Sequence, residues 1–108
     1  MSIMTSHSVV DRLAADLAER RLRFDDGRVR ELSELEAELL RYLAQNATRT
    51  VSRAELLERI WRLPANAVRT RTIDMHVARL REKLDDDGAE PRIVLTVRGK
   101  GYRFGGEP

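Results

Sequence analysis

The chain has 108 residues, which is enough for one domain with a modest core and too few for two ordinary ones. Its 20 basic and 18 acidic residues give a net charge of +2, so a nucleic-acid site must come from the distribution of charge and not from its total. The sequence lacks cysteine, which excludes disulfides and cysteine metal sites and favours a reducing cytoplasm, and no apolar run reaches membrane-spanning length.

Two short elements are predicted near the N-terminus. Apolar residues recur at helical spacing from Val9 to Leu17, which indicates a short amphipathic helix in an extension of residues 1–20. We expect its apolar stripe to cover part of the core, and a face for self-association is the alternative. The next segment, RRLRFDDGRVREL, is typical of a β-hairpin, because Asp26-Gly27 is a strong turn signal.

Two amphipathic helices are predicted next, and a serine begins each of them. Ser33 and Glu36 have the spacing of a capping box, in which the hydroxyl and the carboxylate bind free N–H groups at the start of the helix. Ser52 and Glu55 repeat the pattern at the start of the second helix. Pro64 cannot continue that helix, so residues 62–69 are predicted to form a loop.

The third helix, residues 70–84, is predicted to have one buried stripe and one open, cationic face. At about 100° per residue, the apolar residues that share a narrow sector are Ile73, Val77, Leu80 and Leu84. The opposite side carries Arg71, Met75, Ala78, Arg79 and Glu82, with Thr72, His76 and Lys83 beside it. A generic solvated face usually carries more Glu and Lys pairs, so we interpret this face as one that reads a groove of nucleic acid.

A second hairpin is predicted after the acidic segment that follows this helix. The apolar period changes to two from Ile93 onward, and Gly99 and Gly101 permit a tight reversal. Arg98 and Lys100 are then expected at its tip. A cationic helix and a cationic finger on one small domain fit a major groove and its neighbouring backbone or minor groove.

The other chemistry-bearing residues predict no catalytic, cofactor or metal site. Residues 85–87 are three aspartates without the ligand pattern of an EF-hand, so we interpret them as a solvated helix end. The segment RGKG is too short for a nucleotide-binding loop, and no Ser-His-acid arrangement can be assembled. Trp61 is expected either to pack in the core or to meet a phosphate, and the same two alternatives apply to His76.

These elements, in this order, resemble the C-terminal DNA-binding domain of the OmpR/PhoB family of response regulators. LSELEAELLRYL is similar to that family's first helix, VSRAELLERIW to its second, RTIDMHVARLREKL to its recognition helix and VLTVRGKGYRF to its wing. The resemblance covers residues 22–104. It implies an α+β winged helix-turn-helix with a three-helix core, a short N-terminal β-hairpin and a C-terminal β-hairpin wing, to which the extra N-terminal helix is added. We expect the domain at residues 21–105, after the extension 1–20 and before a tail of residues 106–108.

The resemblance implies that the protein is a bacterial, cytoplasmic regulator of transcription that binds double-stranded DNA at specific sequences. It places helix 70–84 in the major groove and wing 96–103 in the minor groove, and it implies homodimers on direct-repeat DNA and a contact of loop 62–69 with RNA polymerase. The residues expected at DNA are Trp61, Arg69, Arg71, Thr72, Met75, His76, Arg79, Arg81, Lys83, Arg98 and Lys100. The base edges are assigned to Arg71, Thr72, Met75 and Arg79, and the phosphates to Trp61, His76, Arg81 and Lys83.

The chain departs from the family pattern in several places. Ala37 stands where a large aromatic residue is usual, so we expect the core to be repacked by Val10, Leu13 or Leu17. Asp74 matches the pattern and is expected to orient Arg71 or Arg81 by a local ion pair. No receiver domain precedes the match, which leaves a stand-alone regulator and an excised domain as alternatives. Because the net charge is nearly neutral, a winged-helix module for protein interaction or dimerisation that does not read DNA is the alternative function.

Overall fold

The computed structural model describes residues 17–24, 26–63, 71–86 and 90–105. The elements are β1 (Arg21–Arg23), β2 (Val29–Glu31), α1 (Glu34–Gln45), α2 (Arg53–Leu56) with its π-helical continuation (Leu57–Trp61), α3 (Arg71–Leu84), β3 (Val94–Val97) and β4 (Gly101–Phe104). β1 pairs with β2 and β3 with β4, each pair as a two-stranded antiparallel sheet. The predicted α+β winged helix-turn-helix fold is confirmed.

The helices and the β3–β4 hairpin enclose one hydrophobic core. Its fully buried side chains come from α1, α2 with its continuation, α3, β3 and the segment before α2, and they include Leu39, Leu40, Leu43, Val51, Leu56, Leu57, Ile73, Leu80 and Val94. Leu17 and Ala37 are both buried in the same cluster, so Leu17 contributes to the core as expected. Leu17 and Ala18 are helical. Val9, Val10 and Leu13, on which the rest of the predicted N-terminal helix depends, lie outside the described residues.

The two predicted serine caps differ in the structure. At α1 the capping box is complete, since Ser33 Oγ accepts from the N–H of Glu36 at 3.1 Å and Glu36 Oε1 accepts from the N–H of Ser33 at 2.8 Å. At α2 only half forms, because Ser52 Oγ accepts from the N–H of Glu55 at 3.1 Å but the Glu55 carboxylate turns away. It binds Arg49 at 2.8 and 2.5 Å instead, since a guanidinium supplies two charge-assisted bonds where the backbone supplies one neutral bond.

The second helix ends where the sequence predicted a loop. Its last turn is π-helical, and Arg62 then takes a left-handed conformation at φ 56°. The N–H of Leu63 donates to the carbonyl of Leu57 at 3.2 Å, which satisfies one of the free carbonyls at the helix end. The rest of the predicted loop, from residue 64, lies outside the described residues.

The interpretation of the acids after α3 as a solvated helix end is wrong for Asp86, which is buried, whereas Asp85 is exposed as expected but is also paired. Asp85 takes a left-handed conformation and pairs with Arg28 at 2.9 Å and Arg30 at 3.0 Å, on the β1–β2 hairpin. Asp86 is only 8% exposed. Its two oxygens accept from the backbone N–H groups of residues 92–94 at 2.7 to 3.2 Å. The acids are thus compensated by arginines and amides that are distant in sequence, which a local pattern does not reveal.

Candidate nucleic-acid interface

One long face of α3 is open to solvent. Ile73, Val77 and Leu80 are fully buried and Leu84 is 8% exposed, which confirms the predicted stripe. The open face, defined by its exposed residues, consists of Arg71, Met75, Ala78, Arg79 and Glu82. Met75 is 52% exposed although its side chain is apolar. The guanidinium groups of Arg71 and Arg79 have no hydrogen bond or ion pair to another described residue, so both are available to a ligand.

The β3–β4 hairpin contains the predicted wing and presents cations at its tip. Its register pairs Val94 with Phe104 and Val97 with Gly101. The tip, residues 98–100, is exposed and carries the side chains of Arg98 and Lys100. A hairpin of two strands is marginally stable alone, so its direction depends on what holds its base.

The base of the hairpin is held against the segment before α2. Val51 and Tyr102 exchange two backbone hydrogen bonds, at 2.8 and 2.9 Å. Gly101 makes this approach feasible, because a Cβ built on it would lie 2.1 Å from the carbonyl oxygen of Val51. Gly101 also has a φ of 149°, which side chains rarely adopt.

Arg81 connects α3 to the hairpin. Its Nε and Nη2 donate to the carbonyl of Val94 at 3.0 and 2.6 Å, and Nη2 also donates to Thr96 Oγ1 at 2.7 Å. The guanidinium that the sequence assigned to a phosphate therefore binds the protein itself. Its contact with DNA stays a prediction.

The expectation that Asp74 pairs with Arg71 or Arg81 is wrong. Asp74 Oδ1 accepts from Arg53 Nε at 2.8 Å and from the hydroxyl of Tyr102. The reason is that Asp74 lies on the side of α3 that contacts α2 and β4. Arg53 also stacks over the Tyr102 ring, 5.0 Å from its centroid. Burial and the bond to Asp74 raise the pKa of Tyr102, so its hydroxyl remains a donor at neutral pH.

Lys83 is paired with a buried acid on α1. Its Nζ lies 2.7 Å from Glu36 Oε1, and the Glu36 side chain is only 6% exposed. Burial alone raises the pKa of Glu36, but the bonds from Lys83 and from the Ser33 N–H outweigh it and lower that pKa. The ammonium compensates a buried charge here, and its predicted contact with a phosphate stays a prediction.

Trp61 and His76 pack against each other. Their ring centroids are 5.1 Å apart in an edge-to-face arrangement of 66°. Trp61 is half-buried and packs on the hydrophobic core. This supports the packing alternative for both residues, and their contacts with phosphate stay predictions. Thr72 is half-buried on the same helix. Arg69 lies outside the described residues.

The sequence did not identify the polar residues that hold the interface in place. Arg53 and Tyr102 were seen only as part of a helix start and of a strand, and Asp86 only as part of an acidic run. Arg53 directly follows the Ser52 cap, and Asp86 lies two residues after the end of α3. Residues at the ends of helices and strands often have side chains that bind the backbone or a neighbouring element. Their position in the sequence, however, does not show which residue is the partner.

The described residues contain no membrane-spanning helix and no cluster of metal ligands. None of their helices has the length and apolar composition needed to cross a bilayer. No group of three or more His, Cys, Asp or Glu side chains among them is placed to hold a metal ion.

The chain is similar to known proteins over most of its length. It matches the family described as transcriptional regulatory protein, C terminal, over residues 27–104. A relative in Guillardia theta, the probable transcriptional regulator ycf27, is 40% identical over 93 residues, which are 85% of this chain and 36% of the relative. The chain thus spans little more than a third of the length of that relative.

Solved structures share the fold. The Klebsiella pneumoniae RstA DNA-binding domain, in complex with RstA box, superposes with a TM-score of 0.72 and 32% identity over 81% of this chain and 84% of that one. The response regulator DrrB, an OmpR/PhoB homologue of Thermotoga maritima, superposes with a TM-score of 0.63 and 30% identity over 93% of this chain and 52% of that one.

Proposed function

This chain belongs to the family of C-terminal domains of transcriptional regulatory proteins, of the OmpR/PhoB type, and we propose that it regulates transcription by binding double-stranded DNA at specific sequences. The observation that carries the proposal is the open face of α3, where Arg71 and Arg79, which are exposed and have no bond to another residue in the described part of the chain, flank the exposed Met75. An α-helix fits the major groove, where arginine binds guanine edges and an apolar group contacts the thymine methyl. The family consists of transcriptional regulators and not of enzymes.

The proposed contacts follow from which side chains are free. Arg71, Met75 and Arg79 are exposed on α3 and are proposed to face base edges, with Thr72 beside them. Arg98 is proposed to enter the minor groove and Lys100 to bind a phosphate, because both are exposed at the hairpin tip. His76, Trp61 and Arg69 are retained as proposed phosphate contacts. Arg81 and Lys83 are instead proposed to position elements, since each binds another part of the protein.

The unit that binds DNA is proposed to be the domain of residues 21–105, with residues 1–20 as an extension and 106–108 as a tail. Its tandem pairing on direct-repeat DNA and a contact of loop 62–69 with RNA polymerase are further proposals.

The test is selection of bound duplexes from a random pool, followed by gel-shift titration of the selected duplex at two salt concentrations. We expect one preferred sequence and an affinity that falls with salt. Arg79→Ala is expected to cost about 1–3 kcal/mol on that duplex and to relax the preference at the base pair it reads. Arg41→Ala, which removes an exposed arginine from α1, is the control and should change neither.

Two outcomes would contradict the proposal. Arg79→Ala with an unchanged preference would show that the open face of α3 does not read bases. A wild-type chain that binds no duplex would favour the alternative of a protein-interaction module, for which the exposed Glu82 on the same face would be a suitable contact.

A further inference from the structure

Two polar side chains of α3 hold the β3–β4 hairpin at separate points. Asp74 accepts from the hydroxyl of Tyr102 on β4, and Arg81 donates to Val94 and Thr96 on β3. Asp74 and Arg81 are seven residues apart, so both lie on one side of the helix, about 10 Å apart along its axis. A hairpin that is held to a helix by a single contact can rotate about that contact, whereas contacts at two points along the helix restrain this rotation.

The first of these points is joined to α2 as well. Arg53 binds the same oxygen of Asp74 that Tyr102 binds, and its guanidinium lies over the Tyr102 ring. Arg81 lies over the same ring, 5.8 Å from its centroid. The buried phenol is therefore in contact with a cation from α2, a carboxylate from α3 and a second cation from α3. The start of α2, the first turns of α3 and β4 meet at this residue.

This geometry bears on binding because the hairpin tip carries no support of its own. Residues 98–100 are exposed, and in the described residues the last side-chain bond from α3 to the hairpin is at Thr96. A small rotation at the base is thus carried to the tip. The open face of α3 and Arg98 can engage one DNA site together only at a fixed angle between helix and hairpin, since a misplacement of an ångström weakens a hydrogen bond severely.

We infer that Tyr102 and Asp74 are positioning residues that set the angle of the hairpin to α3, so that Arg98 reaches the minor groove next to the base pairs that α3 contacts. The inference rests on the proposed function. Tyr102 and Asp74 bind each other, and in this inference they act on DNA only through Arg98. The competing explanation is that their bond only stabilises the fold.

The test is a double-mutant cycle of Tyr102→Phe with Arg98→Ala, measured as affinity of the full chain for the duplex that the wild type selects. Tyr102→Phe removes only the hydroxyl, and the ring stays in the core. It is expected to lower affinity about three- to tenfold in the wild-type background, the cost of one lost hydrogen bond. In the Arg98→Ala background it is expected to lower affinity less than about twofold, because the group that it positions is gone.

Two further variants complete the design. Thr96→Val removes the hydroxyl that accepts from Arg81 at an exposed position, so it weakens the second point with little risk to folding. We expect the same dependence on Arg98 with a smaller loss of affinity, because Arg81 keeps its two bonds to the Val94 carbonyl. Tyr42→Phe is the matched control. Its hydroxyl also donates to a carboxylate paired with arginine, Glu55 with Arg49, but these bonds join α1 to α2 and to the segment before α2, and they do not involve a hairpin residue. It is expected to leave affinity unchanged.

An equal loss of affinity from Tyr102→Phe in both backgrounds, or no loss in either, would overturn the inference and leave the bond with a stabilising role alone. A shift of base preference at the pairs read by Arg98, with preference at those read by Arg79 unchanged, would support it. If the wild type selects no duplex, the proposed function fails first and the inference fails with it. The wild-type binding curve distinguishes these cases.

Discussion

Lys83 and Glu36, which are 47 residues apart in sequence, form an ion pair of 2.7 Å between α3 and α1. The carboxylate is almost fully buried, whereas the lysine side chain is 37% exposed. The ammonium of Lys83, on the helix proposed to read DNA, is thus bound within the protein. We therefore expect the two lysines of the chain, Lys83 and Lys100, to have different roles.

Lys83→Met is expected to lower the free energy of unfolding by about 1–2 kcal/mol, less than for a fully buried pair because the lysine is partly solvated. It leaves the Glu36 carboxylate buried without its partner. Urea unfolding at pH 7 measures the change. The salt dependence of DNA binding should be the same as in the wild type.

Lys100→Met is the matched control at the hairpin tip. We expect no change in the free energy of unfolding, and a decrease of about one unit in the slope of log affinity against log salt. If Lys83→Met decreased that slope instead, Lys83 would contact a phosphate and our assignment of its role would be wrong.

Asp86→Asn is expected to lower the free energy of unfolding by about 2–3 kcal/mol, because the buried carboxylate accepts charge-assisted bonds from three backbone N–H groups. An amide has only one accepting oxygen and places its own N–H₂ against those donors. Asp85→Asn makes the same chemical change one residue earlier, where the side chain is 43% exposed in its ion pairs. Asp85→Asn should lower the free energy of unfolding by less than about 1 kcal/mol. Equal losses at both positions would contradict the role of the buried Asp86 carboxylate in holding residues 92–94.

Gly101→Ala is expected to unfold the chain or to lower its free energy of unfolding by more than about 3 kcal/mol. The added Cβ would lie 2.1 Å from the Val51 carbonyl oxygen and 2.9 Å from the Ser52 Cα, which are backbone atoms that cannot give way. Gly99→Ala has open space around the new Cβ but a φ of 74°. It should therefore cost only about 1–2 kcal/mol. Thermal unfolding of the two variants makes the comparison, and a tolerated Gly101→Ala would contradict the close approach.

Glu55 is expected to titrate well below an ordinary glutamate. The Arg49 guanidinium lowers the pKa of Glu55 from 4.5 to about 2, with a further contribution from the Tyr42 hydroxyl. Since the folded pKa lies below the unfolded one, the stabilisation is complete above about pH 4.5 and is lost as the pH falls toward about 2. NMR titration of the Glu55 carboxyl carbon gives the pKa directly.

The control for this titration compares the removal of Arg49 with the removal of another arginine, Arg41. Arg49→Gln should move the pKa of Glu55 up toward 4.5, whereas Arg41→Gln on the exposed side of α1 should leave it unchanged. A wild-type Glu55 that titrates near 4.5 would show that the bidentate pair with Arg49 does not persist in solution.

Much of the fold followed from short-range patterns. The stripe of Ile73, Val77 and Leu80, the capping box of Ser33 and the reversal at Gly99 each depend on residues within one or two turns of each other. Such patterns express helical and strand periodicity, so they are readable without a partner segment. The open face of α3 was predicted correctly for the same reason, as the exposed side of a helix is the complement of its buried stripe.

By itself, the sequence determined which side of α3 is open and where its cations stand, because helical periodicity is a local property of the chain. Only the tertiary structure decided which of those cations are free. Arg81 and Lys83 bind the hairpin and Glu36, and Asp74 binds Arg53 and Tyr102, through contacts between residues 13 to 47 positions apart. Such pairings depend on how separate elements pack, and a charged residue has the same local pattern whether its partner is a distant side chain or a phosphate.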